Sequence, residues 1–438
     1  MAQVGVRERR CEPMRAAIRE NAWCALAALC GCAALAWLGL YAFAWNDYDN
    51  EARAAVDALA HGHLTQFLQL APVYGGSLVE RAPFALVPGL WGAGDLAIYR
   101  TMAIPCLLAT AVLGVILVAG MRSRGRSRLA RAVALALCVA NPVALYALEL
   151  GHPEELLGAS MCVAAVLLLA GESVGRGHAV AAGVLLGLAI ANKQWALIAA
   201  GPVLLACPGR LRARCLAAAV ASAAVVLAPL VLVTSGGLVS GTRALASPAS
   251  TIFQPWQAWW FLGHHGALVH GAFGTPKPGY RTGPAWTGAV SHPLIITVSL
   301  AVTLWLWRSR RRLSERDALL ALALLLLLRC LLDTWDAVYY PLPFLLALLA
   351  WEVRGPAGRP PVLALSGTVL VWLSFHWLAL HASADVQAAS FLAWALPLAA
   401  WLAWRLRSAA PRRSVVGDAP AGAQEITVSA FGKLVRTS

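Results

Sequence analysis

The sequence predicts an all-α integral-membrane protein, a polytopic bundle of about twelve helical spans within a range of roughly ten to thirteen. Three observations carry this expectation. Of 438 residues, 60% are hydrophobic and 13% are charged, and the mean hydropathy is +0.67. A soluble domain cannot bury that much apolar surface, whereas helices in hydrocarbon have no need to. Charged residues break the apolar runs at intervals near the roughly 20 residues that cross a bilayer. The formal net charge is +14, and the surplus collects in short Arg-rich clusters, the mark of cytoplasmic loops.

Taken in order, the apolar runs lie at 22–45, 98–121, 130–148, 155–171, 178–191, 194–207, 215–234, 288–307, 317–333, 338–352, 361–380 and 388–404. The basic clusters are Arg7/Arg9/Arg10, Arg122/Arg124/Arg126/Arg128, Arg210/Arg212/Arg214, Arg308/Arg310/Arg311/Arg312, Arg354/Arg359 and Arg405/Arg407/Arg412/Arg413. With both termini inside, every cluster is cytoplasmic. Merging the two short runs beside Lys193 would push Arg210/Arg212/Arg214 outside and invert all that follows, so parity asks for a hairpin there. Ala42-Phe43-Ala44 resembles a signal-peptide cleavage site, but the run before it is too long for a cleaved segment, and an uncleaved anchor fits better. The chain thus divides into a basic cytoplasmic N-terminus (1–21), a membrane domain (22–404) and a cytoplasmic tail (405–438) whose composition from 408 onward suits disorder.

Two long loops, 46–97 and 235–287, fall on the outer side. The inner loops are short and carry no phosphate-cradling glycine motif, which argues against a nucleotide-driven or nucleic-acid-binding protein. Chemistry is therefore expected at the extracytoplasmic face of a multi-pass cell-membrane protein. All ten cysteines lie in or near spans or cytoplasmic ends, giving neither an outer disulfide framework nor a metal-ligand spacing. In the first outer loop, Ala52, Ala55, Val56, Leu59 and Ala60 recur at helical spacing with Glu51, Arg53 and Asp57 opposite, the pattern of a surface helix. Tyr74-Gly75-Gly76-Ser77 reads as a turn, and Arg81-Ala82-Pro83-Phe84 begins a second surface or re-entrant segment. In the second loop, residues 251–260 mix aromatic and polar side chains, suited to lipid headgroups or a sugar face.

Four constellations hold the candidate chemistry. Asp47 and Asp49 close the first span, where a half-desolvated carboxylate is suited to act as a general base. The plain structural reading is helix capping, in which Asp49 or Asn50 serves the helix that follows. Glu149-Leu150-Gly151-His152-Pro153-Glu154-Glu155 puts three carboxylates and an imidazole in one outer turn. It can bind a metal, hold sugar hydroxyls, or pair with Arg or Lys from other loops; a solvated acidic helix start is the alternative. Asn192-Lys193-Gln194-Trp195 places a lysine in an apolar stretch, where insertion costs about 2.5–3.5 kcal/mol at the bilayer centre. Lys193 therefore needs an anionic partner, a phosphate or a snorkelling path. Last, Arg329 to Pro341 gathers Asp333, Asp336 and Tyr339 at the outer end of a span pair, with an Arg329–Asp333 ion pair as the structural alternative.

Together these residues resemble the GT-C superfamily of membrane glycosyltransferases, and most closely the polyprenol-phosphate-mannose-dependent mannosyltransferases of glycosyltransferase family 87. The likeness lies in Asp47-Tyr48 followed by the Ala-rich stretch 52–60, the Gly151-His152-Pro153-Glu154-Glu155 turn, the run from Gly187 to Lys193, and Tyr339-Tyr340-Pro341. It covers roughly residues 20–404 in short, degenerate motifs. The family's turn more often carries Gln and Asn where this chain has His152 and Glu154, and a second acid, Asp49, follows Asp47. The resemblance implies inverting transfer of a sugar, mannose for choice, from a polyprenyl-phosphate carrier to a glycan or glycolipid acceptor at the outer leaflet. It implies Asp47 or Asp49 as the base. Arg81, Arg100, Lys193 and Gln194 would take the donor phosphate, with Lys277 and Arg281 behind them. His152, Glu154, Glu155, Asp333, Asp336 and Tyr339 would face sugar or acceptor. A divalent cation, Mg or Mn, is compatible but not required, and no residue is assigned as a metal ligand. A secondary transporter or lipid-linked-sugar flippase is the competing reading, disfavoured because the polar groups gather at span ends rather than mid-span.

Overall fold

The computed structural model describes residues 2–41, 47–72, 74–171, 173–233, 252–264, 269–270, 276–277, 281–310, 312–356 and 360–408. The Ala42-Phe43-Ala44 stretch, most of the second long loop and the tail beyond 408 lie outside the described residues. The molecule is a helical bundle. Among the described residues, seven helices are long and apolar enough to cross a membrane: Glu20–Leu40, Asp95–Ser123, Arg128–Leu150, Gly209–Val233, Ala285–Ser309, Val362–His381 and Ala384–Ser408. The other stretches read as spans are also helical but shorter or, in Glu315–Leu332, charged near both ends. They are Glu154–Leu168, Arg176–Asn192, Gln194–Ala206, Glu315–Leu332 and Pro341–Val353.

Burial sorts these helices by depth. Every residue of Pro341–Val353 except Glu352 is buried, as are thirteen of the eighteen residues of Glu315–Leu332. A helix apolar all round has no face to give to water, and these two pack against each other at the centre. By contrast, Gly209–Val233 and Ala285–Ser309 turn Leu216, Val220, Val225, Leu232, Ile296, Leu300 and Trp307 outward. Such surface is tolerable where lipid is the solvent.

Small residues set the closest packing. A β-carbon on Gly183 would come within 2.2 Å of the Cys215 carbonyl oxygen, and one on Gly187 within 2.1 Å of that of Ala219. Gly183 and Gly187, four residues apart, let helix Arg176–Asn192 press its backbone onto Arg212–Val233. At Lys193 the backbone is extended, and a 3₁₀ turn, Gln194–Ala199, leads into Ala200–Ala206. Arg312 donates to the carbonyls of both Gly171 and Ala206, at 3.1 Å each, so the two ends of this excursion meet. The helix is thus interrupted at Lys193, between the two short runs.

In the first long loop the surface helix forms as Arg53–Ala60, with Ala55, Val56, Leu59 and Ala60 buried and Arg53 and Asp57 exposed. The Tyr74-Gly75-Gly76-Ser77 turn is corrected: Gly75–Glu80 is a helix. Its glycines serve approach rather than reversal, since a β-carbon on Gly76 would sit 2.1 Å from the Ala191 carbonyl oxygen. The aromatic segment of the second loop turns inward. Phe253, Trp256, Gln257 and Trp260 are buried, and Gln257 and Trp259 donate to the carbonyls of Thr334 and Leu332 at 2.8 and 2.7 Å. Two-residue antiparallel pairings, Ile252–Phe253 with Arg281–Thr282 and Val269–His270 with Pro276–Lys277, complete what is described of that loop.

The charges separate along the bundle. At one end Glu20 pairs with Arg122 and Arg131, Arg124 and Arg126 donate to the carbonyls of Val353 and Gly355, Arg354 pairs with Glu315, and Arg310 pairs with Asp317. The opposite helix ends bring Asp47, His152, Glu154, Lys193 and Tyr339 together.

Candidate active site

A helix stop aims the first of these groups. Helix Pro142–Leu150 ends on Gly151 in the left-handed region (φ 98°), and the amide of His152 returns to the Ala147 carbonyl at 2.7 Å. This is a glycine C-cap. Gly151 also meets Tyr48, whose β-carbon and nitrogen would lie 2.6 and 2.7 Å from any β-carbon at 151. Tyr48 is buried, its ring 4.7 Å from that of Tyr99, and the Tyr99 hydroxyl donates to the Leu148 carbonyl at 2.6 Å. Asp47, one residue earlier, is thereby held over the His152 turn. It stands at the start of a π-helical turn, Tyr48–Ala52, without a side-chain capping bond.

From Asp47 a chain of polar contacts runs inward. Its Oδ2 lies 3.2 Å from His152 Nε2 and accepts from the Tyr339 hydroxyl at 3.3 Å. His152 Nδ1 is 2.7 Å from Glu154 Oε1. Glu154, fully buried at the start of helix Glu154–Leu168, also meets Lys193 Nζ at 3.2 Å and Arg81 Nη2 at 3.3 Å. Lys193 reaches Glu155 Oε1 at 3.0 Å, its ammonium 5.1 Å from the centre of the Tyr74 ring and 5.5 Å from that of Tyr339. Arg81 is fixed by Ser77, to whose carbonyl and hydroxyl it donates at 3.1 and 2.9 Å. Asn192 donates to the Glu154 carbonyl at 2.9 Å. The acidic turn thus pairs with Arg81 and Lys193 from other segments.

The electrostatics follow from burial. The side chains of Arg81, His152, Glu154 and Lys193 are 3%, 4%, 0% and 12% exposed, whereas that of Asp47 is 36% exposed. Buried charges at this depth persist only when paired, and three carboxylates (Asp47, Glu154, Glu155) face three cationic groups (His152, Lys193, Arg81). Burial and the Lys193 ammonium work against charge on His152, yet Glu154 and Asp47 outweigh them, and its pKa lies above the ordinary histidine value. Burial likewise opposes charge on Lys193, but Glu155 and Glu154 hold it protonated. The water-facing end of the network is a carboxylate, the geometry a general base needs.

Other candidates sit apart from this chain. Asp49 pairs with exposed Arg53 at 3.2 Å, and Arg53 with Asp95 at 2.5 Å. Arg100 donates to the Leu40 carbonyl through Nε and Nη2, both at 3.2 Å. Gln194 opens the 3₁₀ turn after Lys193. Asp333 accepts from the Trp335 amide at 3.0 Å, with His292 at 3.8 Å. Asp336 is fully buried with neither carboxylate oxygen hydrogen-bonded among the described residues, and burial, reinforced by Asp333, pushes its pKa well up. Arg281 pairs with Asp385 at 2.8 Å, and the side chain of Lys277 lies outside the described residues. Arg329 stacks on Tyr340, 4.1 Å from the ring centre, and makes no ion pair with Asp333 among the described contacts. No group of three His, Cys, Asp or Glu side chains among the described residues is arranged to hold a metal ion.

One contributor escaped sequence reasoning: Tyr74 was hidden in an apparent turn. Asn192 belonged to the lysine's constellation but was given no role of its own there. The model of glycosyltransferase family 87 matches residues 76–332, a stretch that includes Arg81, His152, Glu154, Glu155 and Lys193. None of the curated proteins matches the chain.

Proposed function

The chain belongs to glycosyltransferase family 87, a membrane glycosyltransferase, and on that premise we propose that it moves a sugar from a polyprenyl-phosphate carrier to a glycan or glycolipid acceptor with Asp47 as general base. The observation that carries this reading is the exposed Asp47 carboxylate at the end of an otherwise buried, charge-paired network. Asp47 takes the acceptor hydroxyl proton. The acceptor oxygen attacks the anomeric carbon from the face opposite the phosphate. The sugar–phosphate bond then breaks with its electrons leaving on the phosphate oxygen, and the product is inverted.

Asp49, turned to Arg53, lies outside this step. Arg81, which gives three hydrogen bonds to Ser77 and Glu154 and is 3% exposed, is assigned to the network rather than the donor. Arg100, Lys193 and Gln194 remain the phosphate candidates, with Tyr339, Asp333 and Asp336 for sugar or acceptor hydroxyls. A lipid-borne donor needs no nucleotide site, in keeping with the short inner loops. We place about twelve crossings with both termini cytoplasmic, and the site at the extracytoplasmic border of the cell membrane. Mannose is the sugar proposed.

The test is donor choice. Membranes containing the protein are given radiolabelled polyprenyl-phosphate mannose or a labelled nucleotide mannose. Label should enter product from the lipid donor and not from the nucleotide sugar when lipid-donor synthesis is blocked. Incorporation from the nucleotide sugar alone would refute the reading.

A further inference from the structure

Both ring nitrogens of His152 are claimed by carboxylates on opposite sides. Nδ1 is 2.7 Å from Glu154 Oε1, and Nε2 is 3.2 Å from Asp47 Oδ2. A carboxylate can only accept, so each contact needs a hydrogen on nitrogen, and a neutral imidazole carries one. With both carboxylates ionised the ring is an imidazolium. Lys193 Nζ lies 3.3 Å from Nδ1, and taken alone that contact favours a neutral, accepting nitrogen. Glu154 Oε1, however, is nearer to Nδ1 and faces both cations, so the shared oxygen offsets their repulsion.

The ring is also immobilised. Tyr74 approaches edge-on with centroids 5.4 Å apart, Tyr339 lies at 4.7 Å, and the backbone is pinned by the Gly151 stop. Asp47, Glu154, Lys193, Tyr74 and Tyr339 are thus the titratable groups that face it. Burial holds the Tyr74 hydroxyl well above the ordinary range, and Lys193 is kept charged by its two carboxylates. Of these five, Asp47 is the one whose side chain is substantially exposed.

Resting on the assignment of Asp47 as base, we propose that His152 is a positioning residue for it: the imidazolium fixes Asp47 Oδ2 toward the acceptor and keeps a positive charge beside that carboxylate between turnovers. Its role is indirect, because neither nitrogen remains to bind sugar. When Asp47 accepts the acceptor proton, the network loses one negative charge as the departing phosphate gains one, and the imidazolium remains.

The experiment compares pH profiles of kcat/KM for polyprenyl-phosphate mannose in wild type, His152→Gln and Asp47→Asn. Glutamine keeps a hydrogen-bonding amide but no charge. His152→Gln should transfer sugar with its acid limb displaced upward by about one pH unit or more, the shift expected when an adjacent cation is lost. Asp47→Asn should be slowed about 100-fold or more at every pH. An unmoved limb in His152→Gln, with the rate lowered equally at all pH or not at all, overturns the inference while leaving Asp47 as base. Transfer by folded Asp47→Asn at close to the wild-type rate sinks the base itself. Should His152→Gln not fold, ring nitrogen-15 shifts of His152 in the wild-type protein decide. Two protonated nitrogens near neutral pH are expected, and one bare nitrogen overturns the proposal.

Discussion

Asp47 Oδ2 is approached from two directions, by the Tyr339 hydroxyl at 3.3 Å and the His152 ring at 3.2 Å. Hydrogen bonds to a charged group are worth about 1.5–3 kcal/mol, so Tyr339→Phe should lower the melting temperature, and the folded variant should transfer sugar about tenfold more slowly or worse; a rate equal to wild type would remove Tyr339 from the site. His152 also predicts a pH dependence of stability. Its folded pKa is raised above the ordinary 6.5, so its stabilisation is complete below that value and is lost as pH rises through the folded pKa. Melting temperature should fall across that window in wild type and stay flatter in His152→Gln. Asp47, His152, Glu154, Lys193 and Tyr339 stand out in the sequence because charged or polar groups beside apolar runs are costly. Their partners do not. Arg81 and Glu154 are 73 residues apart, and nothing local says that this arginine is spent on a carboxylate rather than waiting for a phosphate.

Elements were legible where hydrophobicity alone decides them. Apolar runs became helices, and the Ala-rich stretch after Asp47 became a helix with the expected buried face. Glycine was misleading because its two uses look alike in sequence. Gly75 and Gly76 mimic a turn, yet they lie in a helix pressed on Ala191. Gly183 and Gly187 show a four-residue spacing that can be read directly as a packing face. Gly187→Leu should therefore cost about 1–3 kcal/mol by overpacking, seen as a lower melting temperature. Gly177→Leu, with open space around it, should be silent. Equal effects of the two would contradict the packing account.

Across the whole molecule, arginine side chains and backbone carbonyls tie one end of the bundle together, and the acidic network occupies the other. Arg-rich clusters between apolar runs suggest such a separation in the sequence, because Arg and Lys partition strongly between the two faces of a membrane. What parity does not reveal is depth, namely that helices Glu315–Leu332 and Pro341–Val353 form a buried centre while Ala285–Ser309 faces outward. In a protein stripped of native cysteines, Asp57→Cys should react with an impermeant maleimide from outside intact cells, and Arg128→Cys only after permeabilisation. The reverse pattern would invert the topology.

Side-by-side assay of purified wild type, Asp47→Asn and Asp49→Asn with labelled polyprenyl-phosphate mannose and acceptor addresses the catalytic assignment most directly. Loss of a general base should slow Asp47→Asn by about 100-fold or more with its melting temperature preserved, and Asp49→Asn should transfer sugar at close to the wild-type rate. Near-normal turnover by folded Asp47→Asn, or a dead Asp49→Asn beside it, would contradict the assignment.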